Sequence, residues 1–336
     1  MTWTELDWQA LDRLRAKFLH GAAAAGPYWE TEDDLSSYDL TYGERIGWKW
    51  DHVLRELHLR GWRPGPGARE VFDWGCGSGV AARRVISAFG PESFDALTVW
   101  DHSPLATGFA EEAAQLAFPA LRVAQATPSL LAGDSPIGLL IISHVLNELP
   151  PDALAALRGL IARAAAVLWV EPGTHAISRQ LGKLRDELRS DFRIIAPCTH
   201  ELGCPMFAEG NERHWCHFFA PPPSEIFADA NWVKFGQRAG IDLRSLPYAF
   251  FALEKPRMGE PPVATSDPSL SRVIGRVEHF KPYARLLNCD ATGLAELELP
   301  KRADPALFKQ LDRTKAPLVY RWRRAGDKIL GGEPLA

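Results

Sequence analysis

The chain has 336 residues, 46% of them apolar and 24% charged, with a net charge of −4 and five cysteines. Its apolar content excludes a disordered or low-complexity chain, and its length suits about two domains with a full core. The cysteines are too few for a disulfide-built secreted scaffold, and the acidic balance argues against bulk nucleic-acid binding.

Residues 1–66 read as a helical N-terminal region, with Leu11, Leu14 and Phe18 on one face and Ile46, Trp50, Val53, Leu54 and Leu57 on another. Glu5 and Asp7 near the start fit neither a secretory nor a transit peptide, so a cytoplasmic protein is expected. The Pro- and Gly-rich stretch Gly61–Gly67 marks a boundary. Strands then alternate with helices over 67–255: strands at 70–74, 96–101, 121–126, 137–142 and 166–170, helices at 80–89 and 104–116, and another striped by Leu154, Leu157, Leu160 and Ile161. The best apolar run, Ile137–Ile142, ends at Ser143 and is far short of the roughly 18–20 residues of a membrane span. Continuous apolar strands between amphipathic helices predict an α/β fold with a parallel sheet covered on both faces. A loop at 191–220, rich in Cys, His and Pro, breaks the rhythm. A helix over 224–239, a strand over 246–253 and a linker over 255–268 follow. In the 271–330 region Leu297 and Leu299 alternate with Glu296 and Glu298, and Asp290–Gly293 reads as a turn, which predicts a small β-rich C-terminal domain.

The segment Asp73-Trp74-Gly75-Cys76-Gly77-Ser78-Gly79 joins the first strand to a helix, where ligands meet exposed backbone N–H groups. A dinucleotide fingerprint would need glycine at position 80, which is Val80. Glycines at 75, 77 and 79, with an acid two residues before, instead resemble motif I of the class I S-adenosylmethionine-dependent methyltransferases. That resemblance implies a Rossmann-like sheet, an ammonium partner in Asp73 and close backbone approach at the glycines. Asp101, ending the second strand, is placed to accept from ribose hydroxyls, and Gln125, ending the third, to face adenine. After the fourth strand comes Ser143-His144-Val145-Leu146-Asn147-Glu148-Leu149-Pro150, without the Asn/Asp-Pro-Pro-aromatic signature of nitrogen methylation. Ser143 and His144 are candidates to touch the cofactor, and Asn147 or Glu148 to face a substrate; local helix capping explains these residues equally well. No catalytic residue is assigned.

Cys198, Cys204 and Cys216 lie close in sequence, and Cys289 stands at the turn of the β-rich region, while Cys76 reads as a small buried loop residue. Four thiolates suit a tetrahedral zinc or a cubane iron–sulfur cluster, although the spacing of five, eleven and seventy-two residues matches neither a zinc ribbon nor a ferredoxin run. Buried thiols explain the spacing as well. His200, His214 or His217 could replace a cysteine at zinc. Pro197-Cys198 also resembles the nucleophile pair of RNA cytosine-C5 methyltransferases, but follows a later strand than in those enzymes.

The glycine loop, the Ser-His-x-Leu-Asn-Glu-Leu segment, Glu171-Pro172-Gly173 and the Pro-Cys…Cys-Pro…Trp-Cys-His-Phe section from Pro197 to Phe218 together resemble one family. It is the methyltransferase-like family associated with the mitochondrial small ribosomal subunit, which has bacterial relatives. Ser271-Arg272 and Trp322 look similar too, whereas Ser37-Tyr38, Arg45 and Trp48 fit only loosely. The resemblance implies S-adenosylmethionine binding, a role with the small ribosomal subunit or its rRNA, and a 4Fe–4S cluster on Cys198, Cys204, Cys216 and Cys289, with zinc as the alternative. Some relatives act as binding factors, so an active RNA methyltransferase, a silent ribosome-assembly factor and a small-molecule methyltransferase with structural zinc all stay open; neither membrane nor DNA is an expected partner.

From Lys301 onward nine basic residues (Lys301, Arg302, Lys309, Arg313, Lys315, Arg321, Arg323, Arg324 and Lys328) face four acidic ones. Tyr320 and Trp322 alternate with Arg321 and Arg323, a pattern suited to tracking a phosphate backbone and stacking unpaired bases.

Overall fold

The computed structural model describes residues 2–19, 29–256, 269–312 and 318–335. The N-terminal helices are α1 (Trp8–Leu19), α2 (Glu32–Tyr38) and α3 (Glu44–Leu59), and a π-helical turn over Asp39–Gly43 joins the last two. Thr31 and Asp34 close a reciprocal capping box that starts α2. Leu11, Leu14, Trp50, Val53, Leu54 and Leu57 are buried as their periodicity requires. The side chain of Phe18, the 257–268 part of the expected linker, and Arg313 and Lys315 lie outside the described residues.

The alternating region gives β1 (Glu70–Trp74), α4 (Val80–Phe89), β2 (Ala96–Trp100), α5 (Pro104–Ala117), β3 (Arg122–Gln125), α6 (Pro128–Ala132), β4 (Ile137–Ser143), α7 (Pro151–Arg163) and β5 (Ala164–Pro172). Then come α8 (His175–Leu188), β6 (Arg193–Ala196), β7 (Phe218–Ala220), α9 (Ala230–Ala239) and β8 (Leu246–Glu254). The helix expected over 224–239 is interrupted. Ser224–Phe227 is a 3-10 turn, and the Asp229 side chain accepts from the Asn231 N–H to start α9 afresh. Strand order in the large sheet is β3-β2-β1-β4-β5-β8-β6, with β7 on β8. The first five strands are parallel, and β6 runs antiparallel to β8. This is the class I methyltransferase (Rossmann-like) α/β architecture expected from the sequence. β4, buried along Ile137–Ile142, lies beside β1 at its centre.

By internal contacts the chain divides into Met1–Arg55, Arg63–Val170 and Pro222–Leu246 as one unit, and Glu56–Trp62, Glu171–Pro221 and Pro247–Ala336 as the other. In the first, Leu14, Trp29, Leu35 and Ala106 form a core cluster that joins the N-terminal helices to α5.

The second unit contains β9 (Leu270–His279), β10 (Tyr283–Asp290), β11 (Gly293–Pro300), α10 (Pro305–Leu311), β12 (Val319–Ala325) and β13 (Lys328–Pro334). These five strands close into a barrel in the order β10-β11-β13-β12-β9, with β11 and β13 parallel and the other neighbours antiparallel. Five strands in this order, with a helix between the third and fourth, form an OB barrel. Its core holds Val273, Leu286, Leu297, Leu299, Tyr320 and Ile329. Tyr320 and Trp322 are therefore not an exposed stacking pair, as their alternation with arginines suggested. Both point inward, stacked 4.3 Å apart, and Trp322 Nε1 donates to Asn288 Oδ1 at 2.9 Å. A strand puts alternate residues on opposite faces, so the rings take the core while Arg321 and Arg323 face solvent.

Candidate functional site

In the first unit the chain leaves β1 through a turn in which Gly75, Gly77 and Gly79 all have positive φ, at 70°, 51° and 74°. Gly75 and Gly79 are also fixed by packing. A Cβ on Gly75 would lie 2.7 Å from Val145 Cγ1, and one on Gly79 would lie 3.0 Å from Ala110 Cβ. At Gly77 a Cβ would meet nothing within 4 Å, so the middle of the turn faces open space. Cys76 is buried inside this turn, as expected.

Asp73 lies at the base of the turn, fully buried, and neither carboxylate oxygen has a hydrogen-bond partner. Burial pushes its carboxyl up to about 7; the Ala82 N–H and Arg83 pull it down without closing a hydrogen bond, while the Asp101 charge pushes the same way as burial. An orphaned buried carboxyl beside open backbone suits a ligand that brings its own cation. Asp101 Oδ2 accepts from the Gly77 N–H at 3.0 Å and Oδ1 from the Ser103 N–H at 2.9 Å, so this acid pins the turn with two of its lone pairs and keeps others for a ligand. Burial raises its carboxyl too, opposed by the Ser103 N–H, His102 and the Gly77 N–H. Gln125 is exposed at the end of β3, and its amide donates to Glu111 Oε2 at 2.8 Å.

His144 follows β4 with φ of 58°, the sole positive value outside glycine among the described residues. Its Nε2 is 3.0 Å from Lys49 Nζ and its Nδ1 is 3.2 Å from Ser143 Oγ, which also accepts from Trp50 Nε1 at 3.0 Å. An ammonium only donates, so Nε2 accepts and the ring proton sits on Nδ1. Burial, Lys49 and Arg45 hold the imidazole well below its usual range, hence neutral. Ser143 Oγ then accepts twice, which leaves its hydrogen for a further acceptor. Tyr38 belongs to the same surroundings: burial, Glu148, Asp39, Tyr42 and Asp101 all raise its phenol. Lys49, Trp50 and Tyr38 were not assigned to the site from sequence. The available signal was a lysine set between Trp48 and Trp50 in an otherwise core-packing helix. Of the proposed substrate-facing residues, Asn147 is exposed and Glu148 half-buried.

All four candidate ligand cysteines fall in the second unit, and all five thiols of the chain are free. Cys289 stands within β10, one residue before the expected turn. Burial pushes the Cys204 thiol up to about 12, reinforced by Cys198. Burial also raises Cys216, with Cys198, Cys204 and Cys289 adding to it, and raises Cys289, with Cys198 and Cys204 adding. The four thiols are thus electrostatic neighbours. Among the described residues, however, no three or more His, Cys, Asp or Glu side chains are arranged to hold a metal ion. Of the three histidines considered as zinc ligands, His200 comes nearest, with Nε2 4.0 Å from Cys289 Sγ. His217 stacks on Trp215 with Nδ1 3.0 Å from the Trp215 carbonyl, and His214 Nε2 lies 3.1 Å from Arg213 Nε.

Three arginines, none singled out from sequence, hold the cysteine loop by its carbonyls. Arg60 donates to those of Ile195, Pro197 and Cys198; Arg179 to Met206, Asn211 and His214; Arg185 to His200 and Leu202. Asp186 accepts from the Cys204 N–H. A loop with few ladder bonds must satisfy its backbone this way. Arg272 is buried in bidentate contact with Glu56 and lies 4.0 Å above the Phe218 ring.

The family model described as mitochondrial small ribosomal subunit Rsm22 matches residues 55–222, half of the chain. Solved structures that resemble it include magnesium protoporphyrin IX methyltransferase from Synechocystis PCC 6803 with bound S-adenosylhomocysteine (15% identity, 75% of this chain and 96% of that one, TM-score 0.39). Another is the plantazolicin methyltransferase BpumL (12% identity, 75% and 100% coverage, TM-score 0.42). Among curated proteins none matches.

Proposed function

The chain belongs to the mitochondrial small ribosomal subunit Rsm22 family, and we propose that it binds S-adenosylmethionine in the Gly75–Gly79 turn and acts on the small ribosomal subunit or its rRNA, in assembly or methylation. The observation that carries the cofactor reading is Asp73, a fully buried carboxyl with both oxygens unpartnered beside a turn open at Gly77. Asp73 would hold the ammonium group, Asp101 the ribose hydroxyls, and Ser143, with its hydrogen free to donate, a polar group near the end of β4. Gln125, tied to Glu111, would border the adenine. When bound, the cofactor supplies a methyl group already activated on a sulfonium, so the protein's task is to align it with an acceptor and exclude water. His144, kept neutral by burial beside Lys49, adds no second positive charge of its own there.

Cys198, Cys204, Cys216 and Cys289 are proposed as ligands of a 4Fe–4S cluster, with zinc as the alternative. Four neighbouring thiols fit either group by donor chemistry, and the Cys204, Cys216 and Cys289 thiols, held protonated by burial, would release protons on metal binding. Of the three histidines His200 lies nearest a candidate cysteine, so it is the one a zinc site would recruit first.

Tritiated methyl transfer to immature small-subunit RNA tests the enzymatic form of this proposal; label in RNA supports an enzyme. Co-sedimentation with the small subunit without transfer supports a silent assembly factor. Neither result would refute both. Iron, sulfide and zinc analysis after anaerobic purification tests the ligand set: four irons and four sulfides per chain are expected, stoichiometric zinc would replace the cluster, and a folded metal-free protein would remove both.

A further inference from the structure

We propose that the β9–β10 end of the barrel is a binding site for single-stranded RNA, with Phe280 and Tyr283 as a base-stacking platform and Lys281, Arg285, Lys301 and Lys328 as phosphate contacts. Phe280 is 41% exposed at the hairpin tip, where a buried ring would have been more stable. It stacks on Tyr283, with ring centres 4.8 Å apart and planes at 27°. The Arg285 guanidinium lies 5.4 Å from the Phe280 ring and 5.7 Å from that of Tyr283, and Nη2 donates to the Tyr283 hydroxyl at 3.1 Å. The platform is therefore built before any ligand arrives, which reduces the ordering cost of binding.

Three loops meet at this end. The Lys301 N–H donates to the Pro282 carbonyl, tying the β11–α10 loop to the hairpin tip, and the Glu298 N–H donates to the Asp327 carbonyl, bringing in the β12–β13 turn. Glu278 stands opposite Arg285, Arg285 opposite Glu298, and Glu298 opposite Lys328, so charges of alternating sign run in a row across four strands. Lys281, Lys301, Arg302 and Lys328 are all exposed. Against these and Arg285 stand Glu298, 3.7 Å from Arg285, Glu278, opposite Arg285 on β9, Asp304 and Asp327. The exposed Lys281, Lys301, Arg302 and Lys328 around an open pair of rings offer contacts to a polyanion with free π faces, with the bases, Arg285 included, exceeding the acids by one. Duplex bases are already stacked on each other and offer none, whereas unpaired bases do. The single-stranded form is argued from the platform; RNA rather than DNA rests on the proposed function above.

Fluorescence anisotropy of full-length protein with a labelled oligouridylate of about 12 nucleotides tests the site. The intact chain should prefer it to an RNA duplex of equal length. Phe280→Ala and Tyr283→Ala should each weaken binding about fivefold or more, and Phe280→Trp should retain it. Lys281→Glu and Lys301→Glu should each lower the salt slope by about 0.7, while Arg122→Glu, an equal charge change on exposed β3, should do neither. Equal binding of duplex, unchanged affinity in Phe280→Ala, or equal competition by oligoglutamate would overturn the proposal. So would failure to bind oligouridylate by a chain that still sediments with the small subunit, a result that leaves the proposed function standing. Binding as described by a chain that neither sediments with that subunit nor binds S-adenosylmethionine would uphold this site and refute the other reading.

Discussion

Asp73→Asn keeps the shape of a fully buried side chain while removing a carboxylate whose oxygens have no hydrogen-bond partner. The native carboxyl titrates at about 7, against an ordinary 3.8. Folding therefore takes up a proton between these values, and the wild type loses stability as pH rises through that window, up to a limit of about 4 kcal/mol. The variant escapes this loss. Its stability relative to wild type should climb from pH 4 to pH 7 and level off above, as read from thermal melts of the ligand-free proteins. Cofactor affinity should change in the opposite sense. If only the ionised carboxylate pairs with the ligand's ammonium, wild-type affinity rises about tenfold between pH 6 and pH 8. The variant should bind roughly 10- to 100-fold more weakly, with little pH dependence, because a charge-assisted contact is gone. Calorimetric titration with S-adenosylhomocysteine at pH 6, 7 and 8 measures both. A wild-type affinity flat with pH, or an Asp73→Asn variant that binds as well as wild type, would refute the reasoning.

Gly75→Ala should destabilise by about 1–3 kcal/mol, since the new methyl meets Val145 at 2.7 Å in a backbone conformation that favours glycine, and chemical denaturation reads this directly. Lys49→Met removes the donor to His144 Nε2; the ring should lose its single Nδ1–H tautomer in nitrogen-detected NMR, and stability should fall by about 1–3 kcal/mol. Arg60→Ala leaves the carbonyls of Ile195 and Cys198 without their guanidinium donor and that of Pro197 with Arg272 alone, so limited proteolysis should cut within 197–216 faster than in wild type.

The strands and helices from Glu70 to Phe89 were legible to the residue, because β1 and α4 are bounded by a glycine turn that local chemistry dictates. The positions of Asp73, Gly75, Gly77 and Gly79 in that turn were legible for the same reason. What escaped depends on partners distant in sequence. The parallel pairing of β11 with β13 closes the barrel, and no local pattern encodes it. Tyr320 and Trp322 were read as exposed because alternation with arginine says which residues share a face, but not which face is the core. The contact of Lys49 with His144 spans 95 residues, and that of Arg60 with Pro197 spans 137. Such arginines and lysines look like solvated helix charges until the loop that needs their donors is in place.

Binding of S-adenosylhomocysteine to the full-length chain at pH 8, by calorimetry, tests the central claim most directly. The wild type should give saturable binding at one site and a higher melting temperature with ligand, and Gly77→Arg, whose side chain would enter the open space of the turn, should fold but not bind. Absence of both heat and melting shift in the wild type, or undiminished binding by a folded Gly77→Arg variant, would contradict it.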